Sequence, residues 1–250
     1  MQQQNFKVKE VGKGKVPRWK QYAELMVGKT DLLSLLKYEI ITFFLIDLPG
    51  ALGLYLRSKF YPLIIGEVGS NVIFGRGVTF RHPHKIKIGK NVIIDDNCVL
   101  DGKGTSNSGI VIGDGAYIGR NTIIYCKNGD INIQPRVNIG ANCQIYSKRE
   151  VEIGEGTMIA AYNCILSGGR YDYRSEIPLA DQSSYSNGPT TIGKGCWLGL
   201  KAVVMDGISI GDRTVIGAGA VVTKTLPDAV VATGVPAQVK SQIRSEKVQA

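Results

Sequence analysis

Histidine is almost missing from this chain of 250 residues, which carries only His82 and His84, both inside FRHPHKI. A zinc site built on three histidines is therefore excluded, as in the γ-type carbonic anhydrases, and no metal is expected. Cysteine occurs five times, at Cys98, Cys126, Cys143, Cys164 and Cys196, an odd set that never forms CxxC. Neither a disulfide framework nor a thiolate metal site is encoded. Also missing is an uncharged apolar run of the ~18 residues that cross a bilayer. In the most apolar region, residues 30–65, Lys37, Glu39, Asp47, Arg57 and Lys59 break every candidate. No early apolar run marks a signal peptide, and the cytoplasm is the expected compartment.

Lys and Arg number 30 against 21 Asp and Glu, a net charge of +9. That balance suits an anionic ligand or an acidic membrane surface. The basic residues are dispersed and no recognition motif accompanies them, so nucleic acid is not an expected partner.

The chain does hold a period. From Thr191 to Lys224 an aliphatic residue recurs at every sixth position: Ile192, Leu198, Val204, Ile210, Ile216 and Val222. Six is neither the strand period nor the helix period. It is the signature of a parallel β-helix, in which three short strands make one triangular coil. The frame runs back to Val68, with core positions such as Ile88, Ile94 and Leu100, or Ile133, Ile139 and Ile145. Seven coils result, starting at residues 68, 88, 112, 133, 153, 192 and 210. Each interval beyond 18 residues places its surplus after the third strand, which predicts a ridge of loops on one edge. The largest surplus lies near residues 167–189, and a loop this long in a solenoid is expected to be functional. Glycine directly after a core aliphatic is expected at a corner that a side chain would strain. Cys98, Cys143 and Cys196, four after a core aliphatic, are expected as small buried corner residues.

Three regions follow: residues 1–66, a basic arm and apolar helical segment; 67–239, the β-helix; and 240–250, a polar tail. The arm carries Lys7, Lys9, Lys13, Lys15, Arg18 and Lys20 and reads as flexible, then briefly helical. Thr30 or Asp31 is a plausible N-cap for a helix that Pro49 and Gly50 break. An apolar pair of helices has to be covered. It either caps the open end of the solenoid or lies in a membrane interface, and the two are compatible.

On these residues the chain resembles the hexapeptide-repeat acyltransferases. IAAYNCILSGG (159–169), TIGKGCWLGLKAVVMDGISIG, VIGAGAVVTK and the closing GVPAQV are similar to the branch of galactoside, maltose and xenobiotic O-acetyltransferases. The resemblance implies a left-handed, mostly all-β parallel β-helix, a homotrimer, and acetyl-CoA as cosubstrate. It also implies a CoA groove between subunits, carried over to Trp197, Gly199, Ala218, Gly219, Thr223, Lys224 and Pro236.

In that branch a histidine opens the long loop, eleven residues after its coil's core aliphatic. Eleven after Ile159 is Arg170, and arginine cannot act as a base at neutral pH. Three readings of the base stay open: His82 or His84; a loop carboxylate, Asp172 or Asp181, with its pKa raised by burial; or transfer assisted by the substrate. A further reading is a degenerate scaffold that binds without chemistry. Arg170, Tyr171, Tyr173, Asp181 and Tyr185, with Asn163, are expected to face a sugar or its phosphate. The function expected is O-acetylation of a saccharide or lipid-linked glycan intermediate, with peripheral contact at the inner membrane face.

Overall fold

A computed structural model describes residues 16–243. From Glu67 the chain winds as a three-faced left-handed β-helix. Among the described residues the first face holds seven strands, from Glu67–Val68 to Ser209–Ile210. The second holds nine, from Ile73–Phe74 to Gln238–Gln242, and the third seven, from Thr79–Arg81 to Val221–Val222. Every strand but the last, Gln238–Gln242, pairs in parallel with the one a coil away. Ile88 lies opposite Ile112, Ile94 opposite Ile118 and Leu100 opposite Ile124. The six-residue period thus becomes three columns of buried aliphatics down the axis. Fully burying each Ile contributes about 1.5–3 kcal/mol.

The corner between faces divides the expected role of glycine in two. Glycines directly after a core aliphatic are needed for close approach: a Cβ on Gly119 would sit 2.6 Å from the Gly140 carbonyl carbon of the next coil. The left-handed conformation falls two residues later, at Asn71, Gly77, Asn91, Asn97, Gly115 and Asn121, and again at Lys201 and Gly219. Asparagine and glycine tolerate it best. One residue further lies a small buried side chain, and Cys98, Cys143 and Cys196 take that place as expected.

All the surplus leaves at the corner from the third face to the first: residues 102–109, 127–129 and the long 168–189 excursion each join a third-face strand to a first-face strand. The C-terminal end departs from expectation. Leu226 bridges Ile210 and Ala232 pairs with Ile216, so the frame runs past the seven expected coils into a partial eighth. Gln238–Gln242 then folds back antiparallel on Val230–Thr233, so a strand crosses the boundary expected at 239/240.

At the other end three helices close the solenoid: α1 (Arg18–Met26), α2 (Leu32–Leu45) and α3 (Gly50–Phe60). Asp31 is the N-cap of α2, its carboxylate accepting from Ser34 N at 2.8 Å. Ile41 and Leu45 of α2, with Tyr61 and Ile65 beyond α3, join the solenoid core. Tyr61 packs edge-on against Phe74 and Phe80 at 5.4 and 5.3 Å. Arg57, buried, donates to the carbonyls of Phe74, Leu45 and Leu48, closing the last turn of α2 onto the first coil. The capping role is therefore built. The lysines at positions 7, 9, 13 and 15 and the end of the tail (244–250) lie outside the described residues.

Candidate functional site on the loop ridge

The long excursion leaves the third face at Ser167, where Gly168 and Gly169 both take positive φ. Arg170 and Tyr185 then pair antiparallel, Arg170 N to Tyr185 O at 3.1 Å and the reverse at 2.8 Å. That bridge makes a neck, from which residues 171–184 project.

A buried carboxylate holds the neck. Asp206 accepts from Arg170 Nε at 2.9 Å, Ser186 Oγ at 2.7 Å and Asn187 N at 2.8 Å. Asp206 escaped the sequence reading, yet its signal is visible. Asp96, Asp114, Asp212 and Asp228 also stand two after a core aliphatic. Each accepts the amide of the matching residue in the preceding coil, as Asp114 does from Lys90 N. Asp206 holds the same rank after Val204, but the chain before it has left on the excursion, so the carboxylate binds the loop instead.

The loop folds back on the third face of its own coil and the one before. Lys148 Nζ donates to both oxygens of Ser184. Beneath lies Tyr146, its ring tilted against that of Tyr125 with centroids 4.8 Å apart and its phenol pKa pushed up to about 12 by burial. Gln182 ties the loop to itself, accepting from Asp172 N and donating to the carbonyls of Asp172 and Ile177.

Of the residues expected at the acceptor site, Arg170, Tyr171, Tyr173, Asp181 and Tyr185 share this loop. Tyr171, Tyr173 and Tyr185 are exposed. Arg170 is part-exposed, with its Nε donating to Asp206. Asn163 does not join them. It fills the small inward corner position of its coil, 1% exposed, with Nδ2 donating to Ala160 and Gly199 carbonyls. Asp172 and Asp181 are exposed rather than buried as expected.

The two histidines lie at the far end of the ridge. They follow the first third-face strand, four coils from Ser167, roughly 19 Å by strand spacing. His82, with φ 50°, donates its backbone N–H to Met26 O, and its ring lies 3.6 Å from Asp101. His84 Nδ1 meets Val27 O at 3.0 Å, and burial, with Lys29 nearby, pulls its pKa below the usual histidine value. Gly28 packs so closely that a side chain there would overlap the His82 ring. Both imidazoles are contacts of the α1 C-terminus.

The residues expected to hold CoA divide between two edges. Trp197 stands outward on the second face, while Gly199, Ala218 and Gly219 form the corner from second to third face. Thr223 and Lys224 lie across the third face at the ridge corner. Pro236 lies above Val221, whose N–H donates to Gly234 O and whose carbonyl accepts from Ala237 N.

A triangular solenoid with one loop-bearing ridge and glycine-rich C-terminal corners defines the hexapeptide-repeat class. A sequence model described as "Hexapeptide repeat of succinyl-transferase" matches residues 189–224. The galactoside O-acetyltransferase of Escherichia coli K12 is 33% identical over 132 residues, 53% of this chain and 63% of that protein. The putative colanic acid biosynthesis acetyltransferase WcaF of the same strain is 31% identical over 153 residues, 61% of this chain and 67% of that one. The chain thus spans a little under two thirds of the first relative's length. Among solved structures, a point mutant of AntD, an N-acyltransferase from Bacillus cereus, superimposes with a TM-score of 0.53 at 21% identity. That match covers 75% of this chain and 89% of AntD. The chain belongs to the hexapeptide-repeat acyltransferase family.

Proposed function

We propose that this protein transfers an acetyl group from acetyl-CoA to a hydroxyl of a saccharide, its acceptor class being glycan intermediates that include lipid-linked ones. The observation that carries the reading is the long loop pinned by Asp206 on the ridge beside the C-terminal coils. It presents Tyr171, Tyr173 and Tyr185 with the half-exposed Arg170 guanidinium, a set suited to stacking on a sugar and binding its hydroxyls or phosphate. The names of the relatives, galactoside and colanic acid acetyltransferases among them, point to the same chemistry.

In the transfer the acceptor oxygen attacks the thioester carbonyl carbon. The new C–O bond forms as the C–S bond breaks, and the acceptor's proton passes through a base to the departing thiolate of CoA. We assign that base to Asp172, two residues beyond Arg170 on the loop. A homotrimer belongs to the proposal: Ile93, Tyr117, Asn138, Met158 and Trp197 stand outward in one column of the second face, apolar surface broken once, at Asn138, and suited to a second copy. In the trimer CoA then lies between copies, with Trp197, Gly199, Ala218, Gly219 and Pro236 on one side and Thr223 and Lys224, from the ridge corner, on the other.

One observation favours a second reading, a scaffold that binds without turnover: Arg170 stands where the resemblance implies histidine. Isothermal titration with acetyl-CoA separates the two. Binding tighter than about 1 mM is expected, and no detectable heat at that concentration removes the enzyme reading.

A further inference from the structure

The helices that cap the solenoid are apolar on both sides. At about 100° per residue, the buried Leu35, Tyr38, Ile41 and Leu45 of α2 fall on one side of the helix. The exposed Leu32, Leu33, Leu36, Ile40, Phe43 and Phe44 fall in an arc of about 120° on the other. Leu33 and Phe43 are 77% and 78% exposed. On α3, Leu52, Leu54 and Tyr55 are exposed in the same way. A cap needs one apolar face, and the second is unexplained by the solenoid. Contiguous exposed apolar surface on this scale marks a docking site.

Charge identifies the occupant. Residues 1–65 hold ten Lys and Arg against five Asp and Glu, four of those lysines in the chain before Val16. Lys29 and Lys37 border a hollow of about 100 Å³ between helices, lined also by Ser34, Leu63 and His84. Lys59 lies over the Tyr55 ring at 5.8 Å. Apolar and aromatic side chains with Lys29, Lys37 and Lys59 at the rim match a bilayer interface with anionic headgroups, and Glu39, at the edge of the same α2 face, is occupied by the Tyr22 hydroxyl at 2.7 Å. Among the described residues no helix is long and apolar enough to cross a membrane.

We infer that the outer face of α2 and α3 docks this protein on an anionic lipid bilayer, with the solenoid axis leading away from the membrane. Phe43, Phe44 and Leu33 enter the boundary between headgroups and acyl chains, and Lys29, Lys37 and Lys59 meet lipid phosphates. The inference stands apart from acyl transfer, because it rests on the cap and its test reads binding alone.

The full-length protein is sedimented with vesicles of phosphatidylcholine alone and with about one third phosphatidylglycerol. It is expected to pellet with the anionic vesicles and to be released by salt. Leu33→Gln with Phe43→Gln removes apolar surface without changing charge, and should weaken vesicle binding at least about tenfold while far-UV circular dichroism and solution mass stay the same. Lys29→Gln with Lys37→Gln should reduce the preference for anionic vesicles. Wild-type protein that stays in the supernatant with both vesicles overturns the inference. So does a Leu33/Phe43 variant that pellets like wild type, or one that changes solution mass instead, which would make the face an interface between copies.

Discussion

Arg170 Nε and Asp206 Oδ2 lie 2.9 Å apart, joining the neck of the long loop to a carboxylate buried in the next coil. Asp206 is almost wholly shielded while Arg170 is 40% exposed, so the pair is anchored from the solenoid side. Replacing Asp206 by Ala strands Asn187 N and frees the guanidinium, while Ser186 Oγ keeps the Gly188 carbonyl as acceptor at 2.9 Å. Hydrogen bonds to a charged group contribute about 1.5–3 kcal/mol each, and part of that loss is recovered where water reaches Arg170. We expect proteolysis within residues 171–184 to accelerate at least about tenfold, a cost near 1.4 kcal/mol, with the solenoid intact. Wild-type cleavage kinetics in D206A would show that the loop is held some other way.

Glycines of the two corner types should respond differently to alanine. Gly199 has an ordinary φ, but a Cβ there would lie 2.6 Å from Ala218 N in the next coil. Gly219 has φ +68° and open space around its missing Cβ. Gly199→Ala must push two coils apart, an overpacking cost of about 1–3 kcal/mol. Gly219→Ala meets only left-handed strain, about 1–2 kcal/mol, with nothing to displace. Thermal unfolding should rank G199A below G219A, and the reverse order would contradict the close-approach role.

Those corners also show what was legible in advance. The columns of Ile, Leu and Val, the seven coils and the single ridge follow from a six-residue period alone, because each aliphatic must point inward for the triangle to close. The left-handed residue was harder to place, since Asn, Gly, Lys, Arg and Tyr all fill it and no single residue type marks the position. Asp206 hid among the corner aspartates, for its partners come from a loop whose path no periodicity describes. Asn163 looked like a polar residue on a functional strand and is a corner filler, its Nδ2 donating to carbonyls of its own coil and the next. The eighth coil was obscured by the four-residue step from Val222 to Leu226.

Arg57 offers a test of how the cap is fastened. Its guanidinium serves three carbonyls and no carboxylate, and burial lowers its pKa without removing its charge at neutral pH. Arg57→Met keeps much of the volume but leaves the Leu45, Leu48 and Phe74 carbonyls short of donors. With each unsatisfied buried group costing about 1–3 kcal/mol, a loss of about 3 kcal/mol and a fall of about 6–12 °C in Tm are expected. A Tm within two or three degrees of wild type would mean that water or the backbone replaces the guanidinium at little cost.

The histidines separate the cap from the chemistry. His84 is held neutral by burial first, then by Lys29, with His82 and Lys85 acting in the same direction. Its folded pKa lies below its unfolded value, so acid favours the unfolded chain, which binds the proton more readily. Stability should therefore be full above the unfolded value, about 6.5, and fall as pH drops below it toward the lower folded value. His84→Gln should flatten that part of the Tm profile. If Asp172 is the base, alanine at His82 and His84 together should leave acetyl transfer at neutral pH within about threefold, while Asp172→Asn removes about 10²-fold or more. Loss of turnover in the folded double-histidine protein, with Asp172→Asn near wild type, would move the base to the first coil. It would also require that imidazole to meet the acceptor from a neighbouring subunit, since both rings lie against the α1 C-terminus within their own chain.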